Sequence, residues 1–240
     1  MYQIKTNSIM IIAAAMLLLA GCKKDNTATL TADDASDAMS AALSSSTDGL
    51  SSQVSTAASY AVAQGAYKTD GTQTLQCGVA FDTTVAFHYS GGATTASYTG
   101  QWEYLLTCTG SQSLAMTGSY SGNFDAPRIS STNSGQRQWV LSGITGSTSI
   151  PYTFNGTLTR SGSHTSKVRN RYTYTVDMTV TVTNLTVSKT TYEITGGTGT
   201  VTMTGTVSNG NSYTFNGNIT FLGGGAATLT INGNTYNVTL

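Results

Sequence analysis

The sequence predicts an α+β protein, predominantly antiparallel β, in which an N-terminal helix or helical pair packs on a long meander of about ten strands. Residues 31–65 are rich in Ala and Ser and contain no proline. After Tyr67, hydrophobic residues recur at every second position through to the C-terminus, which is the period of a strand. One face of these runs is polar, as is typical of antiparallel sheets. We expect the meander to form a half-barrel or a sandwich.

The first element is an apolar run from Ile9 to Leu19 that ends in Leu19-Ala20-Gly21-Cys22. With Lys5 ahead of the run and small residues before the cysteine, it resembles the signal peptide and lipobox of bacterial lipoproteins cleaved by signal peptidase II. The run is too short for a transmembrane helix, which needs about 20 residues. The resemblance implies removal of residues 1–21 and lipidation of Cys22, with acyl chains such as palmitate.

The same resemblance implies a place in the Gram-negative cell envelope. Because Lys23 rather than Asp follows the cysteine, it implies the outer membrane, with the periplasmic and surface-exposed faces both open. Residues 22–30 are then a short polar tether between the lipid and the folded chain. The membrane is the expected partner through Cys22, and this compartment disfavours nucleic acid.

Residues 31–65 form the predicted helical segment. Thr31 can cap its first turn, and nearby aspartates place negative charge at the positive end of the helix dipole. The stretch Ser44 to Gly49, with Asp48 as a second candidate cap, leaves open one helix or two, and Gly65 is a candidate stop. A thin apolar stripe follows helical spacing: Met39, Leu43, Leu50, Val54, Ala57 and Ala61.

Residues 66–240 form the predicted β domain. Its clearest strand runs from Tyr172 to Thr183, with even-numbered apolar residues and odd-numbered polar ones, and an extra residue at Thr183-Asn184 indicates a β-bulge. The last hairpin, Thr228 to Leu240, turns at Asn232-Gly233-Asn234. Pairing of Leu229 with Tyr236 or with Val238 buries the same face, so the register stays open.

Cys77 and Cys108 remain after the lipobox cysteine. An even number of cysteines in an oxidising compartment predicts a disulfide between them, and strand alternation predicts that both sulfurs point to the core. Two separately buried free thiols are the alternative. The spacing lacks the paired-ligand pattern of a metal site, so we expect no metal.

The sequence points to no enzyme and no cofactor. His88 falls on the polar face of its strand, and His164 falls in a predicted turn from Ser161 to Lys167. Glu103 and Glu193 are the only glutamates, and neither has an acidic neighbour two to four residues away. Gly-rich phosphate loops and nucleophile elbows are missing from the sequence.

Charge is distributed unevenly along the chain. Acidic residues dominate before Asp125, whereas the stretch from there to Asp177 contains only basic ones. Five residues are predicted to cluster at one hairpin tip as a candidate site for an anionic lipid or acidic glycan, with a solubilising loop as the alternative: Arg160, His164, Lys167, Arg169 and Arg171.

Two classes of function follow from this pattern. One is a non-catalytic, lipid-anchored envelope protein with a structural or surface-interaction role. The other is a lipid- or glycan-binding module whose cleft between helix and sheet would be lined by Tyr152, Tyr172 and Tyr213. A transmembrane β-barrel, which ten-residue alternating strands resemble, is less favoured because the lipid anchor makes it redundant. The sequence does not predict an oligomeric state.

Overall fold

The computed structural model describes residues 29–63, 75–144, 147–169 and 171–240. The predicted signal peptide, Cys22, nearly all of the tether and the stop at Gly65 lie outside these ranges. Two helices, α1 (Ala32–Leu43) and α2 (Leu50–Ala63), flank a 3₁₀ turn (Ser45–Thr47). Ten strands follow: β1 (Ala80–Gly91), β2 (Thr94–Thr107), β3 (Ser113–Asp125), β4 (Ile129–Ser142), β5 (Tyr152–Ser166), β6 (Thr173–Val187), β7 (Ile194–Thr206), β8 (Ser212–Gly223), β9 (Ala226–Ile231) and β10 (Asn234–Thr239).

The ten strands form one open sheet in chain order, and every neighbouring pair is antiparallel. This confirms the predicted meander with helices packed on it. The helical segment contacts strands near both ends of the sheet: the 3₁₀ turn contacts β1 and β2, and α1 contacts β9 and β10. A single sheet that reaches the helices from both ends is a half-barrel rather than a sandwich.

Local chemistry explains where the helices begin and where the segment divides. The Thr31 side chain accepts a hydrogen bond from the Asp34 backbone N–H, and the Asp34 carboxylate accepts one from Thr31, which is a capping box. The helix ends at Ser44 in an extended conformation. A Cβ on Gly49 would lie 2.5 Å from the Ser44 carbonyl oxygen, so only glycine fits this connection. The segment is therefore two helices.

The burial of α1 differs from the thin apolar stripe that its spacing predicts. Ala35, Ala38, Met39 and Ala42 are all fully buried, and so is Leu43. These five residues lie on one face of the helix, but Asp34, Ser36 and Ala41 on either side of that face are buried as well, because the concave face of the sheet encloses the helix. Alanine is the residue that lets a helix fit so confined a space at the packing density of a protein interior.

The strands follow their predicted alternation. In β6 the even-numbered residues from Tyr174 to Val182 are buried, and the register shifts beyond Thr183, where a bulge is predicted. The last hairpin pairs Leu229 with Tyr236. Its two turn residues, Asn232 and Gly233, both have positive φ angles, as a type I′ turn requires.

Candidate functional site

The predicted basic tip does not exist as one surface cluster. Arg160 is 1% exposed and His164 is 0% exposed. Both lie within β5, so the prediction of a turn from Ser161 to Lys167 is wrong. Their even numbering places them on the same inward face as Leu158, which is buried. Strand alternation was the signal that could have placed them in the interior.

The other basic residues of the tip mostly bind acids brought from earlier in the chain. Arg169 Nε donates to Asp34 Oδ1 at 2.8 Å, and its Nη2 contacts Asp37. Lys167 pairs with Asp125, and Arg171 is exposed. The uneven charge along the sequence is thus largely compensated in space, and Arg171 is the one residue of the predicted tip that stays exposed without an ion pair to a described residue.

Arg160 joins the sheet to the connection between the two helices. Its Nη2 donates to the carbonyl oxygens of Thr47 and Asp48 at 3.1 and 3.0 Å, and its Nη1 donates to the Ala41 carbonyl at 3.4 Å. A cation at the carbonyl end of α1 also interacts favourably with the helix dipole. The guanidinium carbon lies 5.8 Å from the ring centroids of both Tyr98 and Phe124.

A second buried arginine lies beside the same connection. Arg137 is 4% exposed, its guanidinium carbon lies 4.1 Å from the Trp102 ring centroid, and its Nη2 donates to the Ser119 carbonyl at 3.3 Å. Asp48 supplies the nearby negative charge. Burial raises the pKa of Asp48 to about 6, although the charges of Arg137 and Arg160 oppose the increase. This carboxyl therefore titrates near neutral pH.

His164 occupies an aromatic part of the core. Its ring centroid lies 6.1 Å from that of Phe124 and 5.8 Å from that of Tyr174. Burial, with a smaller contribution from the charge of Arg160, lowers the pKa of His164 to about 3. The imidazole is therefore neutral at physiological pH, and neither ring nitrogen has a hydrogen-bond partner within the described residues.

The predicted cleft lined by three tyrosines is absent from the described interior. Tyr152 is fully buried, and Tyr172 and Tyr213 pack against the core. The helices fill the space that a cleft would need. The aromatic residues of this face serve the packing of the core: Tyr152, Phe154, Tyr172, Tyr174, Tyr213, Phe215 and Phe221.

An opening between α2 and the strands lies where the two ends of the sheet approach the helices. We call it the seam groove; its volume is about 380 Å³. A second space of about 40 Å³, the inner cavity, shares Thr56 and Phe87 with it and continues to Asp48, Gln53 and Arg137. Residues that line the seam groove are Ser45, Ser51, Ser52, Ser55, Thr56, Phe87, Tyr192, Glu193, Ile194, Gly225 and Leu240.

The two cysteines of the β domain are linked at the edge of its core. A disulfide joins Cys77 and Cys108 with a Cα–Cα distance of 5.7 Å. Cys108 is half-buried and packs against the core, as predicted, whereas Cys77 is exposed, so the prediction that it points to the core is wrong. The reason is that β1 begins only at Ala80, and Cys77 lies before it in a bridge with Leu106.

The described ranges offer neither a metal site nor a membrane-spanning helix. They hold no group of three or more His, Cys, Asp or Glu side chains arranged for a metal ion. No helix among them is both long and apolar enough to cross a membrane.

The fold is an open ten-stranded antiparallel meander that curves around a helical pair. No protein-family model matches the chain, and neither a curated protein nor a solved structure is significantly similar to it. The function of this protein is therefore inferred from its residues and their geometry.

Proposed function

We propose that this chain is a lipid-anchored, non-catalytic protein of the Gram-negative outer membrane with a structural or surface-interaction role. The lipobox supports the anchor. The observation that carries the interaction role is a row of polar side chains that crosses the outer face of the sheet from its first strand to its last.

One row of cross-strand neighbours on that face contains a polar residue from each of the ten strands. None of its members is buried, and only two of them are charged. Adjacent strands lie about 4.7–4.9 Å apart, so the row presents hydroxyls and amides at regular spacing. Its members, in order, are Asp82, Glu103, Thr117, Gln138, Thr157, Thr181, Thr200, Asn218, Thr230 and Thr235.

The helices on the concave side hold the sheet, and with it the polar row, in one arrangement. The helices are fixed to the concave side by Arg160, which leaves the convex side free to contact other envelope components. A surface with few charges and many hydroxyls forms hydrogen bonds with little desolvation of ions.

The anchor is tested by replacing the lipobox cysteine. Cys22→Ser is expected to abolish labelling by a fatty-acid analogue and to release the chain from membranes. Lys23→Asp should keep the label but shift the protein to the inner membrane. Undiminished labelling of Cys22→Ser would refute the anchor, and antibody binding to intact cells would distinguish the surface face from the periplasmic one.

A glycan-binding module is the second candidate function. The specific observation in its favour is the seam groove, which has the volume of a small-molecule site, about 300–1,000 Å³, and a wall of hydroxyls.

A further inference from the structure

The seam groove combines two kinds of lining that are rarely adjacent by chance. Ser51, Ser52 and Ser55 present hydroxyls from successive turns of α2, while the rings of Phe87 and Tyr192 supply flat apolar surface. No Lys or Arg is among its lining residues, and Glu193 is. An anionic ligand would therefore meet a carboxylate without a compensating cation.

Tyr192 is held at the groove in an uncommon backbone conformation. Its φ angle is +59°, in the left-handed region that bulky residues rarely adopt. The turn is closed by hydrogen bonds from the Tyr192 N–H to the Ser188 carbonyl and from the Ser188 N–H to the Glu193 carbonyl. Backbone strain of this kind persists where the surrounding structure enforces it, and it is concentrated at functional sites.

The inner cavity adds polar atoms that lack partners. Arg137 Nε and Gln53 Oε1 have no hydrogen-bond partner within the described residues, both residues are almost fully buried, and both line this cavity. Its volume exceeds the roughly 10–15 Å³ that a water-sized group requires. Buried polar groups are normally paired, so these two side chains favour a polar rather than an apolar group in the inner cavity.

The two atoms require opposite partners. Arg137 Nε carries a hydrogen and needs an acceptor, whereas Gln53 Oε1 needs a donor. A hydroxyl group both accepts and donates, so it has the chemistry to pair with either atom. A carboxylate or phosphate cannot donate, and a hydrocarbon chain can do neither.

We propose that the seam groove and the inner cavity form one binding site for a neutral carbohydrate. The sugar ring lies against Phe87 and Tyr192, its hydroxyls bond to the serine wall, and one of them enters the inner cavity beside Thr56. This site is independent of the lipid on Cys22, so the Cys22→Ser chain binds the same sugar, and failure of the anchor is distinguishable from failure of the site.

The test uses the full chain and isothermal titration with maltotriose, cellotriose, mannotriose and N,N′,N″-triacetylchitotriose, with trigalacturonate as the acidic comparison. At least one neutral trisaccharide should bind more tightly than about 1 mM, and trigalacturonate should bind more weakly. Phe87→Ala should lower the affinity at least about tenfold, as loss of a central aromatic contact does. Thr56→Val keeps the shape of the side chain, removes one hydroxyl, and should weaken binding several-fold.

Matched controls lie on the same elements. Tyr89→Ala removes an exposed aromatic ring from β1, and Ser59→Ala removes a hydroxyl from α2; neither residue lines the groove, and neither change should alter the affinity. Failure of all four neutral sugars to bind the wild type would overturn the proposal. It would also be overturned if Thr56→Val, folded as judged by thermal unfolding, bound as tightly as the wild type.

Discussion

Arg160 and Arg169 belong to the same hairpin but have opposite environments. Arg160 lies on the inward face of β5 and donates to backbone carbonyls of the helical connection. Arg169 lies beyond the end of that strand and pairs with carboxylates on the first turns of α1. Position in the strand alternation, rather than local charge density, decides whether a basic residue is structural or surface-located.

The difference has an energetic consequence. Leaving a buried hydrogen-bond acceptor without its donor costs about 1–3 kcal/mol, whereas an exposed ion pair is worth about 0–1 kcal/mol. Variants of the two regions should therefore separate clearly in their free energies of unfolding.

Arg160→Met should produce the largest loss of stability. The substitution keeps an unbranched side chain but leaves the carbonyls of Ala41, Thr47 and Asp48 without their donor. We expect the free energy of unfolding, measured by urea denaturation, to fall by at least about 3 kcal/mol, since three buried acceptors each lose their donor. Arg128→Met is the matched surface control. Equal losses in the two variants would contradict the distinction between interior and surface arginines.

The disulfide tests whether a covalent bond near the surface contributes little to the free energy of unfolding, as a surface ion pair does. Cys77 and Cys108 are separated by 31 residues, and closing a loop of this length should contribute about 3–4 kcal/mol through the unfolded chain. Cys77→Ser, or reduction of the wild type, should lower the free energy of unfolding by that amount. Peptide mapping without reductant should recover the linked pair, and recovery of two alkylated thiols would disprove the bridge.

His164→Phe should change how stability depends on pH. The folded-state pKa of His164, about 3, is below its ordinary value near 6.5, so acidification protonates the unfolded chain first and costs about 2 kcal/mol between pH 7 and 5. Protonation of Asp48 has the opposite effect on stability. Its folded-state pKa of about 6 is above the ordinary value, so the folded chain takes the proton first and gains about 1 kcal/mol.

The two titrations partly cancel in the wild type. Relative to the wild type, His164→Phe should therefore gain about 2 kcal/mol when the pH is lowered from 7 to 5, as measured by urea denaturation at both values. A parallel pH dependence of the two proteins would show that the imidazole of His164 is not held neutral by burial.

The smallest change in the free energy of unfolding is expected for the surface ion pair between Arg128 and Asp37. The Arg128 side chain is 56% exposed, and its Nε lies 2.7 Å from Asp37 Oδ1. Arg128→Gln should lower the free energy of unfolding by less than about 1 kcal/mol. The difference from the wild type should shrink further in 1 M salt, where the Debye length is about 3 Å. A large loss that resists salt would move this pair into the same class as Arg160.

Periodicity was sufficient to predict most of the fold. The cap at Thr31 and the faces of β6 follow from short-range patterns, whereas one helix or two was left open and the structure has two. The register of the last hairpin was open to the sequence, but the two-residue Asn232-Gly233 turn fixes Leu229 opposite Tyr236.

The interior site could be predicted only in part. Alternation alone would have placed Arg160 and His164 inside, but their charge and polarity suggested a surface. The seam groove depends on Phe87, Ile194 and Leu240 meeting at α2. No local pattern joins residues so far apart in the chain, because their proximity results from the curvature of the whole sheet.

The contacts of the helical pair with the last hairpin determine the order of assembly. Every strand pairs with its neighbour in sequence, so the sheet can grow through short loop closures, which fold fast. In contrast, Ser45 donates to the Leu240 carbonyl and Tyr236 donates to Asp33, across 195 and 203 residues. A chain that emerges N-terminus first thus produces its helices at the start of synthesis. The helices can complete their contacts with the sheet only after β10 has been made. Until then the nascent protein carries an uncovered apolar surface, and this is the interval in which it needs protection from aggregation.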